Sequence, residues 1–555
     1  MINGAFLGSR TENPRVLISS RSEMTIISFM LASCCLFFPL SGNGLAYPVF
    51  PQSTDAEAKA QAHADRGIQL MQAGRLGEAE LELRQAVQSA PRNASFLALL
   101  GGVLGMQRKL EESSRYFAKA LELEPNDIDT RRNLASNQLQ LGRLREARAN
   151  LITVLKRHPA DLEAMYLVGM TSEKSRDYAG AIKWLEASSS ISRQHPDSLQ
   201  ALARSYYHLG NKAKARAALN QLSQSSAGPG AAFLGSGIAS QAGDFEMAER
   251  MLQSIAETYP DPAALKQALA SVRYKMGRYG EARQILLELV HAGTSDGAVY
   301  NLLAWCYWRE GNPGEASRNF ERAIAVAPFA EANYLDYSKA LKECGHLPEA
   351  LKTVKQGVEK LPESASLQEL KGDIETKMGL HREAIQSYGK AVRLNPSSPA
   401  ALIGLGLAQA DDLQAEAAIT TFEKAAKRFP QNGLVHQEFG RMLLIPWVTQ
   451  GSPGSETRAT VLLKRAIALD PSLAEAHYQL GNLLLQKESI DEALDLLKNA
   501  ARLEPKSSKV HFALERVYRK LGQMDEVARE HELFEKLRAE EEKSASNLSP
   551  SRRGN

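Results

Sequence analysis

The chain has 555 residues, 24% of them charged and only 6% aromatic, with 67 basic against 64 acidic side chains for a net charge of +3. That length allows several domains or one extended array, and the near-neutral balance gives no global attraction to nucleic acid or an anionic membrane. Four cysteines (Cys34, Cys35, Cys306 and Cys344), no Cys-x-x-Cys and scattered histidines exclude a disulfide scaffold and argue against a zinc site.

The first element is an address. Residues 24–40, "MTIISFMLASCCLFFPL", form an uncharged apolar run, preceded by Arg10, Arg15 and Arg21 and followed by small residues ending at Ala46. That order is the order of a secretory signal, with cleavage after Ala46 and a linker over 47–59. The long leading segment and its Glu12 and Glu23 weigh against this reading. Two competitors keep the run in place or modify it. It is about long enough for a membrane anchor, although Pro39 interrupts it. "LASC" (Leu31–Cys34) is similar to a bacterial lipobox, which would make Cys34 a lipidated N-terminus, although "CLFFPL" stays apolar beyond the cleavage point. In all three cases the body is exported, to the periplasm or beyond the cell. The bland alternative is a buried N-terminal helix.

From about residue 60 the chain keeps a ruler. Prolines fall at 91, 125 and 159, return at 260, 328, 362, 396 and 430, then slip to 471 and 505. Proline in these places ends one helix and sets the start of the next. Twelve residues separate Gly67 from Ala79, Gly101 from Ser113, Gly169 from Ala181, Gly372 from Ala384, Gly406 from Ala418, and Gly481 from Ala493. Four residues after each comes a bulky apolar one: Leu83, Phe117, Leu185, Tyr388, Phe422 and Leu497. A turn glycine sits midway, as at Gly74, Gly142, Gly210, Gly277, Gly311, Gly345, Gly379 and Gly522. The spacing predicts two antiparallel helices per period, approaching through small residues and stacked on the next pair, because one hairpin cannot bury its own apolar face.

This pattern resembles the tetratricopeptide repeat family over residues 60–540. The resemblance implies an all-α, right-handed superhelical solenoid of about fourteen helix-turn-helix repeats. They begin near 60, 94, 128, 162, 196, 229, 263, 297, 331, 365, 399, 433, 474 and 508. Three departures stand out. The ruler drops a residue around 223–231, "SQSSAGPGA", a candidate kink. An insertion near 446–456 separates Gly440 from Ala459 and reads as a surface loop. Residues 541–555 are charged and Ser-rich and read as a disordered tail.

Catalytic signatures are lacking: there is no Gly-rich phosphate loop, no His-Glu-x-x-His and no Gly-x-Ser-x-Gly. Carboxylate pairs lie on the polar faces of amphipathic helices. His195, His208, His291, His346 and His381 are spread over different repeats and read as surface residues, while Cys306 and Cys344 read as small core residues rather than a redox pair. The expectation is a non-enzyme without cofactor or metal.

In the family, the first helix of each pair lines a concave groove in which ligands lie. Carried onto this chain, the groove slots are occupied by Tyr166, Arg204, Tyr207, His208, Phe233, Tyr274, Lys275, Asn301, Trp305, Trp308 and Arg309. The aromatic stretch "NLLAWCYWRE" supplies the last four. There Trp305 and Trp308 are three residues apart on one helix face beside Arg309, and such residue types anchor interfaces. The alternative is that one or both tryptophans pack between helices without touching a ligand. The carboxylate clamp of the chaperone-binding members is missing: Asn133 fills one slot, but Ala64 and Ile68, or Ala98 and Gly102, precede it, and Glu163 and Leu167 follow. The asparagine ladder of the sugar-transferring members is missing too.

The expectation is an exported, non-catalytic scaffold that binds proteins or peptides through the groove, with no nucleic-acid partner. Membrane association would come through the N-terminal apolar segment or a lipidated Cys34. The alternatives are a subunit of an envelope secretion or polysaccharide-export assembly, and an enzyme with a site concealed in the array.

Overall fold

Each proline of the ruler except Pro260, which stands one residue ahead of Asp261, lies two residues ahead of a helix N-cap position. Asn93, Asp127, Asp161, Ser364, Ser398 and Asn432 follow Pro91, Pro125, Pro159, Pro362, Pro396 and Pro430. Their side-chain oxygens accept from a backbone N–H of the first turn at 2.8–3.2 Å. Such a cap satisfies one of the orphan donors at a helix start and contributes about 1 kcal/mol. A second tie closes the same corner. The fourth residue of the helix reaches back to a main-chain carbonyl six residues earlier: Tyr334 to Pro328 at 3.0 Å, His436 to Pro430 at 3.2 Å, His477 to Pro471 at 3.1 Å and His511 to Pro505 at 3.0 Å.

The computed structural model of the protein describes residues 55–225, 227–445 and 454–547. Among the described residues there are 29 helices and no strand. All but the short helix Ser189–Ser192 pair into fourteen hairpins. Their first helices begin at Asp55, Ala94, Ile128, Leu162, Pro196, Gly228, Pro262, Gly297, Glu331, Ala365, Pro399, Gly433, Ala474 and Ser508. This is an all-α solenoid of helix-turn-helix repeats. The inter-helix turns demand a left-handed residue, and the eight turn glycines marked in the sequence all have φ between 72° and 79°. Where glycine is lacking, Arg108, Arg176, Leu413 and Glu488 take that conformation at φ of 60–62°, which costs an L residue about 1 kcal/mol.

Within a hairpin the two helices meet through the glycine of the first and the bulky residue of the second. A Cβ at Gly169 would lie 2.6 Å from Leu185, at Gly101 2.8 Å from Phe117 and at Gly406 2.6 Å from Phe422. Leu83, Leu185, Phe422 and Leu497 have no solvent exposure, and burying such a side chain contributes about 1.5–3 kcal/mol. The apolar core is therefore a row of linked clusters, one per few hairpins, rather than a single centre.

The chain divides into two compact units, residues 1–277 and 278–555, at the turn of the seventh hairpin. The first unit holds hairpins one to six and the first helix of the seventh, Pro262–Lys275; the second starts with Tyr279–His291 and runs to the end. Within each unit, first helices of successive hairpins touch one another, while second helices pack on the first helix of the next hairpin. The first-helix side is thus the more closely spaced, inner side of each unit.

The boundaries differ from the sequence reading in a few places. The first helix, Asp55–Gln72, begins inside the expected 47–59 linker. The last, Met524–Asn547, continues past the expected start of the tail at 541; its run of Ala, Glu and Lys is good helix former throughout. Around 223–231 the helix Lys212–Gln224 ends and the next opens at Gly228 with φ 73°, which shifts the sixth and seventh hairpins one residue earlier than expected. The signal or anchor segment, the candidate lipidated Cys34 and residues 446–453 of the insertion lie outside the described residues.

Glycine therefore has opposite value at two kinds of site. Gly406→Ala is expected to lower stability by about 1–3 kcal/mol through overpacking on Phe422, despite a helix-propensity gain of about 1 kcal/mol. Gly237, inside helix Gly228–Gln241, has open space where its Cβ would be. Gly237→Ala is expected to raise stability by roughly 0.5–1 kcal/mol. Urea titrations followed by circular dichroism read both, and shifts of the same sign would contradict this packing.

Candidate functional site

In the first unit the inner side is knitted from hairpin to hairpin. Arg132 is mostly buried and pairs with Asp129 at 2.5 Å, Asp161 at 2.6 Å and Glu163 at 2.9 Å. Burial pushes the Glu163 carboxyl up, against the charge of Arg132. Arg204 donates from Nε to Glu173 at 2.6 Å. The Tyr207 hydroxyl donates to Asp244 at 2.8 Å, and Arg216 grips both oxygens of the same carboxylate at 2.6 and 2.7 Å. His208 stacks on Tyr178 with ring centroids 4.0 Å apart. Tyr166 lies against His195 at 5.2 Å and Phe233 stacks on Tyr259 at 4.6 Å. Lys275 reaches Ser240 at 3.3 Å and lies over the Phe245 ring; Tyr274 beside it is half-buried. These candidate residues thus spend much of their bonding capacity on neighbouring hairpins.

In the second unit the aromatic stretch forms helix Gly297–Arg309. Asn301 is buried and donates to Asn333 at 3.1 Å, and Asn333 in turn donates to the Ala323 carbonyl at 3.0 Å. Trp305 is only 9% exposed. Its ring meets Phe320 edge-on at 5.4 Å, and its indole N–H donates to Asp336 of the next hairpin. Trp308 stands edge-on to Trp305 at 6.4 Å and is half-buried, while Arg309 is exposed at the helix end. Of the two tryptophans, Trp305 has a packing role and Trp308 retains an open face.

The inner side continues past this stretch with residues that slot reasoning left out. Burial pushes the Asp336 carboxyl up, against hydrogen bonds from Trp305 and Asn301 and the charge of Lys339. Glu369 is likewise raised by burial and accepts from Ser398 at 2.9 Å. Lys339 faces both carboxylates, and Lys342 pairs with Asp373. Carrying the slots of Asn301 and Trp305 two hairpins onward lands on Glu369 and Asp373, so the signal was present in the spacing. The array offers hydrogen-bonding groups of alternating charge and one aromatic face.

The remaining reactive candidates sort by burial. Cys306 is fully buried, which pushes its thiol up to about 12, so it is inert as a nucleophile. Cys344 is exposed at the end of helix Glu331–Glu343 rather than in the core, because the chain leaves the helix there toward Gly345. His195 and His381 are half-buried, not surface residues, while His208, His291 and His346 are exposed. Among the described residues no His, Cys, Asp and Glu cluster has metal-binding geometry, and no helix is long and apolar enough to cross a membrane.

A helical-hairpin solenoid with small-to-bulky packing in a 34-residue register defines the class. Tetratricopeptide repeat models match residues 64–128, 132–197, 174–233, 239–306, 297–329, 400–432 and 458–508, and a further TPR repeat model matches 372–412. The chain belongs to the tetratricopeptide repeat family, whose solenoids serve as protein-binding scaffolds. Its fold is similar to that of yeast Tom70, at 17% identity over 87% of this chain and 92% of that one, with a TM-score of 0.37. It is also similar to that of the APC/C hetero-tetramer Cut9–Hcn1, at 13% identity over 83% and 96%, with a TM-score of 0.35. Pseudomonas aeruginosa PilF matches at 20% identity over 37% of this chain and 94% of that one, with a TM-score of 0.31. These likenesses concern the fold alone and say nothing of the partner. No curated protein matches the chain.

The Tyr207–Asp244–Arg216 triad gives a pH test. Burial raises the Asp244 carboxyl, but hydrogen bonds from Arg216 and Tyr207, with the charges of Arg216 and Lys212, outweigh it and hold the group at about 2. A carboxyl lowered by folding stabilises above its unfolded value near 4, and that stability, roughly 2 kcal/mol, disappears as pH falls toward 2. Asp244→Asn is expected to lower stability at pH 7 and to flatten its loss between pH 4 and 2 in urea titrations. A pH dependence identical to wild type would contradict the assignment.

Proposed function

We propose that this protein is an exported, non-catalytic scaffold that binds a protein or peptide partner along the first-helix sides of its hairpins. The observation that carries the reading is the inner side of hairpins eight to ten. There the partly open ring of Trp308 and the neighbouring Arg309 lie on the same first-helix side as Lys339 and Lys342, which face the carboxylates of Asp336, Glu369 and Asp373. Neighbouring hairpins already hold Asp336, Glu369, Lys342 and Asp373 in place, so a partner pays little ordering entropy for these groups on docking. Successive hairpins then add contacts in series, which is how weak individual contacts sum to useful affinity.

The same surface suits an extended segment with both charge signs better than a single small ligand, because its cations and carboxylates alternate along the row instead of converging on one point. Export rests on the sequence alone: the basic residues before the 24–40 run and the small residues ending at Ala46. Retention in the membrane through that run, or through a lipidated Cys34, is compatible with the same scaffold.

The full chain, immobilised and exposed to an envelope fraction of its own cells, is expected to capture a discrete protein partner. Trp308→Ala/Arg309→Ala, which spares the packing of Trp305, is expected to weaken that capture about tenfold or more with an unchanged circular-dichroism spectrum. Equal capture by the folded variant and the wild type would place the contact elsewhere.

A further inference from the structure

The tenth hairpin breaks the apolar rule of its neighbours. Where Leu303, Tyr337, Leu405, Phe439, Leu480 and Leu514 occupy the seventh position of the first helix, Ala365–Lys377 carries Lys371. Its Nζ pairs with Glu375 at 2.8 Å and lies 2.8 Å from Ser387 Oγ, and Ser387 donates to Glu375 at 2.6 Å. Glu375 and Ser387 are almost fully buried. A charged network inside a repeat core is expensive to bury, and Lys371 and Ser387 of this one line a cleft.

Next to this network opens a cleft of about 610 Å³ lined by Gln368, Lys371, Gln386, Ser387, Lys390 and Arg393, among others. Gln368 is 4% exposed, and no hydrogen bond reaches its side-chain amide from the described residues. Its amide, part of the cleft lining, is therefore left with free hydrogen-bonding capacity that a ligand in the cleft could use. Lys390 and Arg393 face the cleft without a carboxylate partner among the described residues. The lining carries the cations Lys371, Lys390 and Arg393, and with the Glu375 carboxylate paired to Lys371 behind it the local formal charge is +2. Gly389 keeps the wall open: a Cβ there would meet only Arg393 Nη1, at 3.8 Å. None of these residues belongs to the inner-side row of the proposed partner site.

We propose that this cleft binds a dianionic phosphate group, held by Lys390 and Arg393 from the rim and by the Gln368 amide and Lys371 from below. A phosphate monoester carries close to two negative charges at neutral pH and three strong acceptor oxygens, which matches both the formal charge and the convergent donors. A carboxylate would leave one charge unmatched. The volume suits a small phosphorylated molecule or a phosphorylated side chain.

Isothermal titration calorimetry on the full chain tests this with inorganic phosphate, O-phosphoserine and acetate as probes at equal ionic strength. Saturable binding of phosphate or phosphoserine is expected, with acetate at least about tenfold weaker. Phosphoserine tighter than inorganic phosphate would show that the group arrives on a larger molecule; equal affinities would point to free phosphate. Lys390→Gln/Arg393→Gln is expected to weaken binding about a hundredfold, roughly tenfold for each charged hydrogen bond removed. Gly389→Glu should abolish binding while keeping its thermal midpoint, since it replaces a helix-interior glycine by a better helix former pointing into open space. Absence of saturable binding, equal affinity for acetate, or wild-type affinity in both folded variants would overturn the proposal.

Discussion

Everything in this molecule depends on the close approach of a small residue on one helix to a large residue on the next. Gly169 against Leu185 and Gly406 against Phe422 leave no room for even a Cβ. That contact sets the spacing of the two helices, and the spacing exposes a new apolar edge that only another hairpin can cover. The array is therefore self-propagating. Each hairpin needs its neighbours to cover its outer apolar edge, and the caps that follow most of the prolines fix where the next one starts.

One consequence is the asymmetry between the two sides of the array. First helices touch one another along each unit, whereas second helices interlock with the following first helix. Side chains on the first-helix side are thus brought near those of the next hairpin and form networks across the boundary, such as Arg204 with Glu173 and Trp305 with Asp336. These networks fix the geometry of a surface without filling it. The departure at Lys371 shows the other use of the same frame. Replacing one core aliphatic by a cation, beside the Ser387–Glu375 pair, gives the tenth hairpin a charged interior beside a cleft.

Much of the fold was legible because it repeats. The proline ruler, the small-to-bulky spacing and the turn glycines placed most hairpin starts to the residue, and the one-residue offsets at Gly228 and Pro262 followed a stretch where the ruler itself had slipped. The ends were less legible. A terminal helix lacks a neighbour on one side and so lacks the apolar pattern that marks the others, which hid the extension of the last helix to Asn547. The site was legible only in outline. Slot positions found Trp305 and Trp308 but could not tell that Phe320 and Asp336 would enclose the first and leave a face of the second open. The cleft of the tenth hairpin was invisible in the sequence, because Gln368, Ser387 and Lys390 acquire meaning only when two helices bring them together.

A photo-crosslinking scan tests most directly which side of the array meets the partner. Benzoylphenylalanine would be placed singly, in the full chain and in its own cells, at Trp308, Lys339 and Lys342 on first helices and at the exposed Arg318, Lys352 and Lys424 on second helices. The account predicts one discrete protein adduct at the first-helix positions and none at the second-helix positions. Adducts confined to the second-helix positions, or equal on both sides, would contradict it.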